Sequence, residues 1–537
     1  MIEDTNTIIP FLDRIHPEYD TYCNEWKFYK DTYDGGKAWF LKNIDKYFRE
    51  GMDEYRERVD RAYRFNHTRE VVDLVNKYIF KADVDRKEDA EDYIKRFWAS
   101  ATLQKRDIDH FMTMASAQAS IFGRVWIVVD SNFTDKVTSV ADVKAKKSRV
   151  YAYTVSPLDV LDLSFDEDGE LNWIKIREVV RDDSDPFNYS GGVIEKLRIW
   201  TRNEWYLFAG ESSGTSAQKW VLEDQGEHDL GIVPVTYLDH NDSDSPYTST
   251  ALIADIAYLD RKAANYLSNL DAIIQDQTFS QLVIPAEALA FADDDGDGRG
   301  LGQKLLEFGT KRIFLYHNGE GNNKPDYISP DPSNPETILN VVNKIIGEIY
   351  HSVGMAGERT KQDNAVGIDN SSGVAKAYDF ERMNAMLANK AKALQSCENR
   401  MIKIVKAWNN VDTDPDLIED YVTYSKDFDV RNLANEFDIA GELTIMIAPK
   451  TLRQEQMKGL VDKLWPQLNK ATRDKIMKDI DEEWLRDPTP EEIAVQSASV
   501  QTAIGKITGT NSSQPKPTTT ASKSKTGTQG QNNKPAK

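Results

Sequence analysis

The chain has 537 residues, too many for one ordinary core, so several domains or one elongated multi-part subunit are expected. Its formal charge of −21, with 29% charged residues, argues against a surface built to coat nucleic acid: an acidic protein meets DNA as a repelling wall more readily than as a clamp. Two cysteines, Cys23 and Cys397, with no CxxC, exclude a disulfide framework and a cysteine zinc site, and no apolar run reaches the roughly eighteen residues of a membrane span. The opening "MIEDTNTIIPFLDR" has no signal-peptide form, so a chain that is cytosolic when made is expected, and the cysteine count suits a reducing cytoplasm.

The first 120 residues read as helical. "HPEYDTYCNEWKFYKDTYDGG" sets Tyr19, Tyr22, Trp26 and Tyr29 at helical spacing, a packing stripe that stops at Gly35 and Gly36. "DEYRERVDRAYRFNHTREVVDLVNKYIF" carries Val59, Ala62 and Tyr63, then Val71, Val72, Val75 and Ile79, on one stripe. A third helix over 107–120 leads through Gly123 into the apolar strand "IFGRVWIVVDS". From there to Leu238 the period falls to two. "RVYAYTVSPLDVLDLSF", "GELNWIKIREVV", "EKLRIWTRNEWYLFAG" and "QKWVLEDQG" read as strands of an antiparallel sheet, with turns at "DEDGE" and "TRNE".

Next comes a helix of about 25 residues, hence about 37 Å, inside "SPYTSTALIADIAYLDRKAANYLSNLDAIIQDQTF". Its apolar stripe is Leu252, Ile256, Leu259, Ala263, Leu267, Leu270 and Ile274. A compact mixed section follows, and a second helix opens with Asn334 as N-cap and Pro335 at its first position, with Ile338, Val342, Ile345 and Ile349 on one side. A polar, Gly-rich stretch, "GMAGERTKQDNAVGIDNSSG", separates it from a third long helix over 374–408, which turns Phe380, Leu387, Leu394, Met401, Val405 and Trp408 inward. "DYVTYSKDFDV" and "GELTIMIAP" read as strands. Thr451–Gln454 and Thr489–Glu492 then form two capping boxes. From Lys506 onward there are six Lys and no Asp or Glu, a composition that buries no core and predicts disorder. Without those six charges, residues 1–505 carry −27.

Chemistry-bearing motifs are few. "ADDDGDGRGLGQKLLE" alternates Asp293, Asp295 and Asp297 as an EF-hand loop does and has Gly298 at its turn. Its twelfth position, where that loop needs a bidentate Glu, is Lys304, so an exposed acidic turn is the better description. There is no GxxxxGK[ST], HExxH or GxSxG. The seven histidines form no ligand-spaced pair, and the His240–Ser245 stretch has the composition of a connection before a helix. No cofactor is implied.

What stands out is an order: helices and a sheet, a long helix, a small mixed module, a return helix, a Gly-rich loop and a longer helix. In this order, and in "YRERVDRAYRFNHTREVVDLVNKYIF", "ASIFGRVWIVVD", "DLGIVPVTYL", "ALIADIAYLDRKAANYLSNLDAII" and "NVVNKIIGEIYHSVGM…NSSGVAKAYDFERMN", the chain resembles the portal proteins of tailed double-stranded DNA bacteriophages.

The resemblance implies an α+β, mainly α, elongated subunit. Its parts would be a helical and β wing over 1–247, a first stem helix over 248–279, a clip over 280–332, and a second stem helix over 333–353. A tunnel loop over 354–373, a long wing helix over 374–410, wing strands over 411–450, a helical crown over 451–505 and the basic tail 506–537 would follow. It implies a structural protein rather than an enzyme: a homo-oligomeric ring of about twelve copies at one capsid vertex of the virion, assembled in the host cytoplasm without a membrane. Double-stranded DNA would pass through without sequence specificity. Terminase, scaffold and major capsid protein, and a head–tail connector or adaptor would be its partners. The tunnel loop would present Arg359, Lys361, Gln362, Asn364 and Asp369 to DNA, and the acidic turn (Asp293, Asp294, Asp295 and Asp297) would decorate the clip, where charge guides a docking partner. Two alternatives stay open: an acidic metal-dependent hydrolase using Asp293, Asp295, Asp297 and His317, and an adaptor or scaffold that forms no ring.

Overall fold

The computed structural model describes residues 9–81, 83–132, 149–181, 183, 187, 192–211, 219–228, 230–278, 281–285, 313–316, 326–328, 333–355, 373–409, 411, 419–426, 428, 450–464 and 470–483. The chain divides into two units, Met1–Asp429 and Val430–Lys537.

The first unit opens with helices α1 (Ile9–Asp13), α2 (Pro17–Asp34), α3 (Lys37–Asn43), α4 (Met52–Arg61), α5 (His67–Ile79), α6 (Asp92–Ala99) and α7 (Ile108–Phe122). Side-chain caps set their boundaries. The His16 ring nitrogen accepts from Glu18 N–H at 3.2 Å and Pro17 opens α2, while Gly35, at φ 69°, ends it. Asn66 caps α5 and Asp107 caps α7. The stretch 52–79, which reads as one stripe, is therefore two helices. The Asn66 cap interrupts it, and Tyr63 in the break is 43% exposed. The aromatic stripe of α2 does pack inward, with Tyr19, Trp26 and Tyr29 buried.

The strands β2 (Arg124–Ser131), β3 (Val150–Val155), β4 (Val160–Phe165), β5 (Leu171–Arg181), β6 (Val193–Thr201), β7 (Glu204–Glu211), β8 (Lys219–Glu227) and β9 (Val235–Asp239) follow β1 (Asp85–Arg86). They make two antiparallel sheets where one was expected: β3-β2-β9, and a five-strand meander β4-β5-β6-β7-β8. The chain changes sheet at Ser156–Pro157. Asp159 N–H bonds Ser156 O at 2.9 Å in a turn there, and proline has no N–H to continue a ladder. Strand β2 lies between two partners with both faces covered, so Val125 to Val129 are all buried instead of alternating. It is entered at Gly123, whose φ of 87° and the 1.8 Å from a built Cβ to Ser249 O leave no room for a side chain.

Helix α8 (Ala254–Thr278) leads into a small sheet of β10 (Gln281–Pro285), β11 (Ile313–Tyr316) and β12 (Asp326–Ile328), and α9 (Ser333–Ser352) leads back. Leu267 and Leu270 of α8 form a common seam with Val342 of α9. The expected stripe differs at its ends: Leu252 precedes the helix and Ile274 is 46% exposed. Pro335 lies inside the first turn of α9, which begins at Ser333. Helix α10 (Gly373–Trp408) then runs through the core, where Leu387, Ala391, Leu394, Cys397 and Met401 are inaccessible. Among the described residues of "DYVTYSKDFDV" the strand is β13 (Val422–Thr423), which pairs with the two-residue β1.

In the second unit, α11 (Lys450–Leu464) and α12 (Lys470–Glu483) pack together. Thr451 stands inside α11 instead of capping it. Gln454, its expected partner, donates to Ile480 O and Asp481 O of α12, both at 3.3 Å, and so joins the two helices. "GELTIMIAP", the Thr489–Glu492 box and the tail 506–537 lie outside the described residues.

Candidate functional site

The helix pair α8–α9 is the feature the sequence marks most clearly, and both of its helices are held at the start of α5. Thr68 donates through Oγ1 (2.7 Å) and N–H (3.2 Å) to Asp260 of α8. The neighbouring His67 meets the Tyr350 hydroxyl of α9 at 3.1 Å, and that hydroxyl donates to Glu70. Two adjacent residues of one helix thus fix the beginning of α8 and the end of α9. Because both anchored ends meet the same place, the pair is antiparallel, and β10–β12 closes its far end by chain connectivity.

A second set of polar contacts grips the flank of α8 next to its apolar seam. Asp260, Ser268 and Asp271 fall on one flank by the 3.6-residue period. Arg64, packed 4.0 Å over the Trp39 ring, pairs with Asp260 at 3.3 Å and donates to Thr32 O. Arg58 donates to Ser268 Oγ at 2.9 Å, to Asp45 O at 2.8 Å and to both Glu50 oxygens at 2.7 and 2.8 Å. Arg61 reaches Asp271 at 3.3 Å. Asn265 accepts from Asp45 N–H at 2.8 Å and donates to Asn43 O at 2.9 Å. The hydrogen bonds from Arg58 hold Glu50 below the usual carboxylate range, while burial pulls Arg64 down from its ordinary value. Buried ions persist only when paired and hydrogen-bonded in this way, so this interface has one permitted register.

Polar groups also fix α10. Glu398, inaccessible to solvent, accepts from Arg86 at 2.7 Å and from the Tyr424 hydroxyl at 2.8 Å. Burial raises its carboxyl above the ordinary range. Arg400 donates to Tyr237 O at 2.7 Å, Arg124 forms a two-pronged pair with Asp239 at 2.6 and 2.8 Å, and the two guanidiniums lie 4.5 and 4.1 Å from the centre of the Tyr237 ring. Lys390 is buried against α7, donating to Ser116 O at 3.0 Å and to Ser120 Oγ. Burial lowers it to about 7. His240, also buried, is held well below its usual value by burial and by the charge of Lys390.

The residues expected to touch DNA or a docking partner are not among those the structure describes. Arg359, Lys361, Gln362, Asn364 and Asp369 lie outside them, as do Asp293, Asp294, Asp295, Asp297 and His317. Gly354, at the border of the expected tunnel loop, is described and has φ 72°. Sequence reasoning missed the anchors His67, Thr68, Asp260 and Tyr350 and the buried Lys390. A signal for some of them was present: Lys390 interrupts the stripe Leu387–Ala391–Leu394, and Asp260 stands between Ile256 and Ala263.

A family described as "Phage portal protein, SPP1 Gp6-like" matches residues 12–458. No curated protein matches the sequence. Among similar solved structures is one titled "Neck of empty GTA particle computed with C6 symmetry", 10% identical, with 70% of this chain and 85% of that chain covered and a TM-score of 0.35.

Proposed function

The chain belongs to the SPP1 Gp6-like family of phage portal proteins, and from that premise we propose that it is the ring-forming subunit of a DNA channel at one capsid vertex. The genome enters and leaves through that channel, and terminase and connector proteins dock on it. The observation that carries this reading is the antiparallel pair α8–α9, held at its base by His67 and Thr68 and closed at its far end by β10–β12. A channel wall under load needs stiff rods with fixed register, and the buried Arg64–Asp260 pair with the Arg58–Ser268 hydrogen bond on α8 supports that. In this reading α8 and α9 are the stem helices, and residues 280–332 are the clip with its acidic turn. Residues 354–373 are the tunnel loop, α10 is the long wing helix, the N-terminal helices and the two sheets are the wing, and residues 451–505 are the crown.

Charge supports it as well. Each phosphate that a protein neutralises adds affinity by releasing counterions, so a channel through which DNA slides must stay sparing of cations. A body of −27 over residues 1–505, repeated around a ring, repels the duplex and leaves contact to a few loop cations. Negative-stain imaging and light scattering of the purified chain test the proposal. Rings with a central hole are expected. Only monomer at micromolar concentration, in both low and high salt, would overturn it.

A further inference from the structure

Residues 419–428 run as a strap along α10, in the opposite direction. Lys406 pairs with Glu419 at 2.9 Å, and its ammonium lies 4.6 Å from the centre of the Tyr421 ring. Asn399 accepts from Tyr421 N–H at 3.1 Å and donates to Asp420 at 3.2 Å. Glu398 accepts from the Tyr424 hydroxyl at 2.8 Å, and Asn384 accepts from Phe428 N–H at 2.9 Å. The contacts thus descend α10 from 406 to 384 as the strap advances from 419 to 428. That stretch of helix is about 33 Å long at 1.5 Å per residue. The strap, extended at about 3.3 Å per residue, spans about 30 Å, so it meets its last anchor by staying nearly straight throughout.

The two halves of the strap are held differently. The first is bonded through its backbone: Val422 and Thr423 of β13 pair with Arg86 and Asp85 of β1, and Lys87 N–H donates to Tyr421 O at 2.9 Å. Tyr421, Val422 and Tyr424 are buried, and the Tyr424 hydroxyl ends on Glu398, which Arg86 also holds at 2.7 Å. That lock lies in the core, where a carboxylate left unpaired is costly. Past Tyr424 the grip is lighter. Lys426 is exposed, Phe428 is half-buried, and the half-buried Asn384 side chain anchors the Phe428 N–H by a neutral hydrogen bond. The first unit ends one residue later, at Asp429. Segments with few buried contacts open at lower free energy than the core they lie on.

We propose that the strap is a two-stage tether: its outer half, from Ser425 onward, peels from α10 while Tyr424 stays locked on Glu398. Peeling adds residues 425–429 to the free chain ahead of the second unit, about 17 Å of reach at roughly 3.4 Å per residue. The Tyr424–Glu398–Arg86 lock sets where peeling stops. The device is built within one chain and does not depend on the ring reading.

Hydrogen exchange of the full chain, read by mass spectrometry on fragments that separate 419–424 from 425–428, tests it. In the wild type the outer half should exchange faster than the inner. Asn384→Ala should speed the outer half about fivefold more, as the loss of one hydrogen bond does, and leave the inner half unchanged. Asn384→Asp keeps an acceptor and should behave as wild type. Tyr424→Phe, which removes the hydroxyl of the lock, should speed both halves. Circular dichroism verifies that each variant keeps its helices. Two results would sink the proposal. Both halves could exchange at one rate and accelerate together in Asn384→Ala, which makes the strap a single cooperative unit, or neither half could respond to that change.

Discussion

Lys390 is a residue whose chemistry departs far from what its type predicts. An ammonium in the apolar slot between α7 and α10 has two oxygen acceptors, Ser116 O and Ser120 Oγ, and a neutral histidine, His240, as its titratable neighbour. In the folded chain it releases its proton near 7, and in the unfolded chain near the ordinary 10.5. Between those values the unfolded state binds the extra proton, so stability rises with pH across that window, by up to about 1.4 kcal/mol per pH unit. Below it, this group adds no further slope. His240 acts in the same sense at lower pH: held neutral when folded, it costs stability as the pH falls through about 6.5. Replacing Lys390 by Met, which fills similar space without charge, should raise the thermal midpoint at pH 6–7 and flatten its rise between pH 7 and 9. Parallel pH curves for variant and wild type would show that Lys390 finds solvent or another partner.

At the scale of elements, the pair α8–α9 gains its register from polar contacts more than from its apolar seam. The seam is short: Leu267, Leu270 and Val342 are its buried members, and most of the outer surface of α9 is exposed. Apolar contact is nondirectional, whereas Asp260 between Arg64 and Thr68 fits one geometry only. Asp260→Asn keeps the shape but leaves the buried Arg64 guanidinium without its carboxylate. It should cost about 3 kcal/mol in urea unfolding, as breaking buried pairs does. Glu336→Gln, on the exposed first turn of α9, should change nothing measurable. Equal behaviour of the two variants would mean that the seam alone holds the helices.

For the whole molecule, the expected behaviour follows from an acidic body joined to a few cations in the Gly-rich stretch that follows α9. Arg359→Ala together with Lys361→Ala should leave rings intact yet change the amount of DNA packaged or retained. Gly354→Pro should do more damage, because Gly354 sits at φ 72° after α9 and proline is fixed near −65°. Gly373→Pro should be milder, since Gly373 is the first residue of α10, a position proline tolerates. If all these variants package like wild type, the loop is a solvent-facing link and no part of the channel.

Periodicity by itself determined the long helices. Repeats such as Leu387, Leu394 and Met401 encode which side of a rod is buried without reference to its neighbours, and α8 and α10 begin and end close to where the pattern does. Capping is local too, yet the pattern alone passed over Asn66: the stripe on either side of it runs on unbroken in the sequence, and the cap shows only in the structure. The order of elements, a property of the chain alone, sufficed for the family. Strand pairing was different. Alternation along β3 and β4 marks both as strands but carries no information about which sheet each joins, and the turn at Ser156–Pro157 sent them to different ones. Polar partners lie beyond sequence reach for the same reason. Thr68 and Asp260 are 192 positions apart, and nothing in the local pattern of either encodes the other. Only the packed structure, by excluding water from both, made each one necessary to its partner.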